Sequence, residues 1–584
     1  MRKQLLAAGL GLFVVVSLVV AACGGGQTPS PTPPRPTPTS PAAATSTAAP
    51  TSTSAAATAT VPSSATPTPR PTATVPSAST PTSSTSAPKP GGTLRVRMYL
   101  EQTPDLYASA GFGSVDWGPV FNQVIQQNPY DQSKIIGDLA QTWSVSSDGA
   151  VYTLNLVKNA TWHDGSPFNA DDIVYSMNRA IFPAAGVRST ISNSFGDVAK
   201  IEKVDDFTVK VTLKFPSAAF LSNLTTVGFV VYPQRLTMDQ VTANPVGTGP
   251  FKFKSKTAGV SMDLVRNDSY FKPGLPYLDG IKFFLVTDDT SAFAAFQTRQ
   301  LDVSGPTISI FRTIPVAQRV LDGAKVNLYN GGAIMIMFKD VAPYTDINVR
   351  QAFNLAMDRQ QYIDTVFTGG GLANGGIMMP ERFGGLWANS EKDYAAMPGY
   401  RQPKDADIAQ AKKLMEAAGF TASNPLKPLT PFANFNTVDM QVIAAQWDKI
   451  NVKLNFKIVQ SAVLTQDAIA GNYDVLPQGL LQSVDDPSQD IAQLLLPSSL
   501  RRYHSITDDQ VATLYNQQAR TLDPAARRQI TQQLEKYVLF DKVYVMTPGW
   551  QMQPEIILNT VQNIPLRRQF YSNVNRHEQT WLLR

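Results

Sequence analysis

Residues able to do chemistry are present in this chain, but not in a catalytic pattern. His163 and Asp164 sit side by side. Adjacent side chains rarely face each other across a site, and the Asp-Gly step that follows reads as a turn. The other two histidines, His504 and His577, stand at no metal-ligand spacing, which argues against zinc. Gly247-Thr248-Gly249 lacks the Lys-Ser/Thr of a phosphate loop, and an alternating strand follows it rather than a helix. Gly369-Gly370-Gly371 and Gly375-Gly376 follow a helical pattern, the wrong setting for a dinucleotide. Neither Gly-x-Ser-x-Gly nor His-Glu-x-x-His occurs. The acid pairs Asp205-Asp206, Asp288-Asp289, Asp485-Asp486 and Asp508-Asp509 do not make a glycosidase without defined placement. No metal and no cofactor is expected, and the reading is a binding protein rather than an enzyme.

One reactive group has an informative setting. Cys23, the only cysteine in 584 residues, follows a basic start (Arg2, Lys3), an apolar run from Leu5 to Val20 and the small pair Ala21-Ala22. That order is the layout of a secretory signal. A spanning helix needs about 20 apolar residues, so an uncleaved membrane anchor is the alternative. Val20-Ala21-Ala22-Cys23 resembles the lipobox of bacterial lipoproteins. The resemblance implies a signal peptide over residues 1–22 and a Cys23 whose thiol is lipidated and which becomes the new N-terminus. With no second cysteine, an exported body has no internal disulfide to stabilise it.

Residues 27–90 are almost wholly Pro, Thr, Ser and Ala. They carry too little apolar surface to offset the entropy of ordering, and their prolines favour extended polyproline II. With Cys23 they read as a lipidated, disordered stalk over 23–90 that supplies reach, and the composition also suits O-glycosylation. The first 90 residues hold five cations (Arg2, Lys3, Arg35, Arg70, Lys89) and no acid, so the 50 Lys and Arg less these five leave 45, equal to the 45 Asp and Glu. The pI of 8.9 therefore belongs to the leader and stalk. A neutral body without a basic stripe argues against nucleic acid as a partner.

Residues 91–584 far exceed the size of about 250–300 residues at which single cores stop growing, so two or more lobes are expected. Leu94 to Met98 alternates as a first strand, as do Val151–Leu156, Phe207–Leu213 and Val452–Phe456. Helical spacing appears over Ser114–Gln127, after Asn169 (with Asp172 completing a capping box), over Val349–Ile363, Asp405–Gly419 and Val438–Ile450. The alternation of helices and strands marks an α/β architecture.

The order of motifs resembles the family 5 extracellular solute-binding proteins, the peptide receptors of ATP-binding cassette importers. The matching pieces are Pro90-Gly91-Gly92-Thr93-Leu94, the W-x-D-G-x-P-x-x-A-x-D-x-x-x-S-like run from Trp162 to Ser176, Gly247-Thr248-Gly249-Pro250-Phe251, Asn267-Asp268-Ser269-Tyr270-Phe271, and Val349-Arg350-Gln351-Ala352-Phe353 leading into Ala356-Met357-Asp358-Arg359. The resemblance implies a periplasmic-binding-protein-like, two-lobe α/β clamp of the large peptide-receptor type. By analogy the first lobe takes 91–131, 246–331 and 548–584, an inserted subdomain takes 132–245, and the second lobe takes 332–547. It further implies a monomeric receptor, lipid-anchored on the outer face of the cytoplasmic membrane, that closes over a small solute or oligopeptide and delivers it to the permease subunits. The alternatives are the same fold binding an oligosaccharide or other non-peptide solute, or a stalked surface sensor or adhesin.

The ligand site is where the chain departs from the family. In the peptide receptors a Trp and an Asp precede an acidic-Pro pair, and the Asp holds the peptide's free amine. Here the stretch is Gly479-Leu480-Leu481-Gln482-Ser483-Val484-Asp485-Asp486-Pro487, so Leu480 takes the Trp position and Ser483 the Asp position. A neutral Ser cannot supply a charge-assisted bond to an ammonium. A two-residue slip lets Asp485 do so; the other reading of Asp485-Asp486-Pro487 is a solvated turn before a helix. Gln482, Ser483 and Asp485 are the candidates here. Phe112, Trp117 and Phe435 are aromatic candidates for an apolar pocket, with Glu101 from the loop after the first strand, although aromatic side chains more commonly fill cores.

Overall fold

The computed structural model describes residues 87–108, 116–187, 189–305, 323–433, 436–480, 482, 484–496, 507–568 and 576–583. Cys23, the stalk up to residue 86, Phe112, Phe435 and Ser483 lie outside the described residues. Residues 82–584 form one compact unit.

The first strand, Thr93–Met98, buries Leu94, Val96 and Met98 as its alternation requires. It pairs in parallel with Gly280–Leu285, and antiparallel strands Ser261–Arg266 and Phe251–Thr257 complete a four-stranded sheet. A second four-stranded antiparallel sheet is built from Ala140–Val145, Val151–Leu156, Thr208–Leu213 and Val198–Asp205, in that order. Both sheets feed one apolar core, which includes Leu94, Tyr152, Ile173, Val209 and Phe283.

The long strand Ala324–Phe338 leaves this core. It runs antiparallel to Trp550–Leu558, and the register breaks between Asn330 and Ala333. At one end of the pair, Ile556, Ile557 and Leu558 join the first core. Beyond the break, strand periodicity divides the side chains between two further cores. Ala333, Met335 and Met337 enter one, and Ile334, Ile336 and Phe338 enter the other. Two separately cored bodies are thus joined through a strand pair whose ladder is interrupted between them.

The family-like motifs turn out to be structural stitches. Asn169 caps helix Ala170–Ile181 in a full capping box with Asp172. Asp172 also accepts bonds from Trp162 Nε1 (3.2 Å) and Gln234 N (2.9 Å), tying the helix to two loops. A Cβ on Gly247 or Gly249 would run into the backbone of Pro119 and Val120, so close approach explains these glycines. The His163 imidazole grips the same loop, accepting from Gly247 N at Nδ1 (3.2 Å) and donating from Nε2 to Gly249 O (3.0 Å).

Three sequence expectations are corrected. The expected helix over Ser114–Gln127 is, among its described residues, helical only at Asp116 and Trp117, followed by a short 3₁₀ turn at Gly118–Val120 and a strand at Ile125–Gln127. Pro119 disfavours a continuous helix, and residues 116–127 are buried on every side, so their apolar spacing carried no facial information. The expected helix Val349–Ile363 is two, Ile347–Ala356 and Arg359–Val366, because Asp358 starts a new one by accepting from Gln361 N. Arg359 is buried at that break, bonded to Thr547 O, Gly399 O and Asn354 Oδ1 and lying 3.7 Å over the Tyr400 ring. The strand expected at Val452–Phe456 is Asn455–Val459, parallel to Leu429–Ala433.

Candidate functional site

The site grows from the end of strand Val475–Leu480, which pairs with the crossover strand so that Leu480 faces Ala333. Leu480 is buried in the core beside that strand. Two positions on, Gln482 is also buried, with Asn330 Nδ2 donating to its Oε1 (3.3 Å) and its own Nε2 donating to Asp490 Oδ2. Asn330 stands at the register break, and its Oδ1 accepts from Gly332 N (2.7 Å). A side-chain chain therefore links the break to helix Pro487–Leu495, which carries Asp490. Burial pushes the Asp490 carboxyl well above its ordinary range, and its other oxygen finds no hydrogen-bond partner among the described residues.

The two acids before Pro487 do different work. Asp486 caps the helix through Ser488 N (2.9 Å) and takes both ends of the Arg527 fork. This is a turn before a helix, but Asp486 is buried rather than solvated. Asp485 is half-buried, accepting from Leu386 N (2.8 Å) at Oδ2 and from Trp387 Nε1 (3.0 Å) at its carbonyl. Burial pushes its carboxyl up to about 7, with Asp486 adding to the rise and the Leu386 amide, Arg527 and Arg568 opposing it.

Glu101 and Trp117 belong to a different place. They line a pocket of about 710 Å³ with Pro104, Pro245, Phe253 and Lys256. Glu101 is held by Lys256 (2.5 Å) and Gly259 N (3.0 Å), which keep its carboxyl below its ordinary value. Trp117 is buried, its Nε1 donating to Gln102 O (3.1 Å) and its ring 5.7 Å from Phe253. Gln482 and Asp485 do not line this pocket, so the candidates named from sequence fall into two groups.

Sequence reasoning missed Arg568. Its carbonyl accepts from Asn330 N (2.9 Å) at the register break, and its guanidinium lies over Gly384, where a Cβ would come 3.2 Å from Nη1. Gly384 has φ +85°, a left-handed backbone that favours glycine. Arg568 also acts electrostatically on Asp485. Nothing in the spacing of Arg567-Arg568 relates it to a carboxylate so far back in the chain. Among the described residues there is no group of three His, Cys, Asp or Glu able to hold a metal, and no helix long and apolar enough to cross a membrane.

Two cored bodies, joined by crossing strands and meeting around a buried polar segment, define a two-lobe α/β clamp of the periplasmic-binding type. The ABC transporter-associated periplasmic binding protein DppA of Helicobacter pylori, solved with the peptide STSA, has this fold: TM-score 0.71, 20% identity, covering 85% of this chain and 99% of that one. The model of the bacterial extracellular solute-binding proteins, family 5 Middle, matches residues 134–500, and the chain belongs to that family. Among curated relatives, the glutathione-binding protein GsiB of Pectobacterium atrosepticum is 32% identical over 49% of this chain and 53% of its own length. Heme-binding protein A of Haemophilus influenzae is 28% identical over 54% and 60%. The chain thus spans a little over half the length of these two relatives.

Proposed function

We propose that this protein is an extracytoplasmic solute receptor. It captures a small solute, with an oligopeptide as the leading class, between its two lobes and delivers it to an ATP-binding cassette permease. The observation that carries the reading is the register break at Asn330–Ala333, which lies between separately cored bodies and is bonded through Asn330 to the Gln482 segment. A ligand touching both bodies would shift the open–closed equilibrium, because only differential affinity moves such an equilibrium. Relatives named for peptides, glutathione and heme are consistent with a receptor whose solute varies across the family.

The division of the body follows the family: 91–131, 246–331 and 548–584 as the first lobe, 132–245 as the insert, and 332–547 as the second lobe. The lipobox-like Cys23 anchors a monomer to the outer face of the membrane, and the stalk gives it reach. Ser483 at the position of the family's amine-binding Asp favours a second reading, a solute without a free amine. Native mass spectrometry of the protein purified without added ligand, followed by denaturation, tests both. Retained short peptides support the first reading and a retained sugar or other solute the second. A protein that is empty, and unshifted in melting temperature by peptide and sugar panels, refutes the receptor reading.

A further inference from the structure

Arg568 combines three features at the register break. Its backbone is fixed there, since its carbonyl accepts from Asn330 N (2.9 Å). Its side chain crosses to the other body and lies over Gly384, the residue after Phe383 of that body's core. Its guanidinium is exposed and has no hydrogen-bond or ion-pair acceptor among the described residues. Its neighbour Arg567, by contrast, is buried and paired with Glu555 (3.1 Å).

The nearby acid does not use up this cation. Asp485 is within electrostatic range of Arg568 but not in contact with it, and its Oδ2 is engaged by the Leu386 amide. With its carboxyl pushed up to about 7, Asp485 is close to half-protonated near neutral pH. Asp490, on the same segment, is pushed towards its neutral form as well. Gln482 is engaged at both ends of its amide. Asp486 is taken up by Arg527, and the other two acids of the described segment are shifted towards their neutral forms, so the segment's negative charge is reduced for an incoming ligand. What remains is a planar fork of donors suited to a carboxylate.

We propose that Arg568 receives a carboxylate of the bound solute, so that the ligand class is acidic solutes whose capture does not require a free amine. The assignment rests on the receptor reading above. It also supplies what closure requires, because a carboxylate on Arg568 beside Gly384 is held at the boundary of the two bodies.

The test offers the full-length protein an equimolar mixture of tri- to hexa-alanine, each as the free peptide, the N-acetyl peptide and the C-terminal amide, with glucuronate and glucose alongside. Native mass spectrometry reads what is retained, and calorimetry gives affinities. Free and N-acetyl peptides are expected to bind within about threefold of each other, and amides at least tenfold more weakly. Arg568→Gln should erase that preference and Arg568→Lys keep part of it. A melting temperature unchanged in both variants separates this loss from unfolding.

Amides bound as well as free peptides, or a strict need for the free amine, would overturn the assignment while leaving the receptor reading intact. Glucuronate held in preference to glucose, with no peptide retained, would support Arg568 and refute the peptide as solute. Retention of no probe at millimolar concentration would overturn both.

Discussion

Arg527 closes on Asp486 with Nη2 2.6 Å from Oδ1 and Nη1 3.0 Å from Oδ2, and the two side chains are only 4% and 1% exposed. The pair fixes the start of helix Pro487–Leu495 against helix Pro524–Lys536 and so sets the position of Asp485. Arg527 also lies 4.7 Å over the Trp387 ring, whose Nε1 bonds to the Asp485 carbonyl. Removing one partner of a buried pair leaves an uncompensated charge and costs about 3–5 kcal/mol, whereas replacing both by apolar groups of similar volume is often neutral. Arg527→Ala is therefore expected to lose about 3–5 kcal/mol in urea denaturation, and Arg527→Met with Asp486→Leu to recover most of it. A single-variant loss below about 1 kcal/mol would show that the pair does not hold this segment.

The bodies also meet away from the crossing strands. Ala218 N donates to Ala519 O (2.9 Å), and the Arg520 guanidinium lies 4.4 Å over the Phe215 ring. Phe215 and Ala218 follow the second sheet, whose core is the first, while helix Asp509–Arg520 places Val511 and Leu514 in a core of the other body. A contact made only when the lobes approach would slow ligand escape without strengthening either body. A cation–π contact near the surface contributes about 0.5–1 kcal/mol. Arg520→Ala is therefore expected to raise the ligand dissociation rate about two- to fivefold in stopped-flow displacement, with the urea midpoint unchanged. An unaltered dissociation rate would rule out this contact as part of closure.

Anchoring can be checked separately from binding. If Cys23 carries the lipid, wild-type protein labels with radioactive palmitate and partitions into the detergent phase of a Triton X-114 extract. Cys23→Ser is expected to lose the label and move to the aqueous phase while keeping its ligand affinity, since residues 82–584 form a compact unit of their own. Membrane retention of the serine variant would favour the uncleaved anchor.

The sequence made the family-like motifs legible because each is a local device. Asn169 and Asp172 form the capping box that their spacing announces, and Gly247 and Gly249 sit where side chains do not fit. Helix Asp405–Ala417 followed by Gly419 at φ +89° likewise follows from a stripe and a terminator. The segment after Gly479 could be located, yet its role depends on partners remote in the chain. Gln482 meets Asn330, Asp486 meets Arg527, and Arg568 reaches Gly384 only because the crossover strands bring these segments together. Glu101 and Trp117 line a pocket of their own, where Lys256 and Gln102, both remote from the Gln482 segment, engage them. Helical periodicity failed at Ser114–Gln127 for a related reason: a segment buried all round has no face to display.

His163 gives the fold a dependence on acid. Burial pushes its imidazole down to about 4; Lys252 acts in the same direction, while the Gly249 carbonyl and Asp164 oppose it. Both ring nitrogens are engaged in the neutral form, since Nδ1 accepts from Gly247 N while Nε2 donates to Gly249 O. In the unfolded chain the ring titrates near its ordinary value of about 6.5. Between these two values the unfolded state binds the additional proton, so stability is full above about 6.5 and falls as pH drops towards 4. The loss is on the order of 2 kcal/mol after allowing for the partial exposure of the ring. His577, buried and pushed down to about 3, adds to the slope over this whole window and extends it below 4. Melting temperatures measured from pH 7 to pH 4 are therefore expected to fall, and His163→Gln to fall less steeply from a lower start. An unchanged slope in that variant would mean that His163 does not carry the acid sensitivity of the glycine loop it grips.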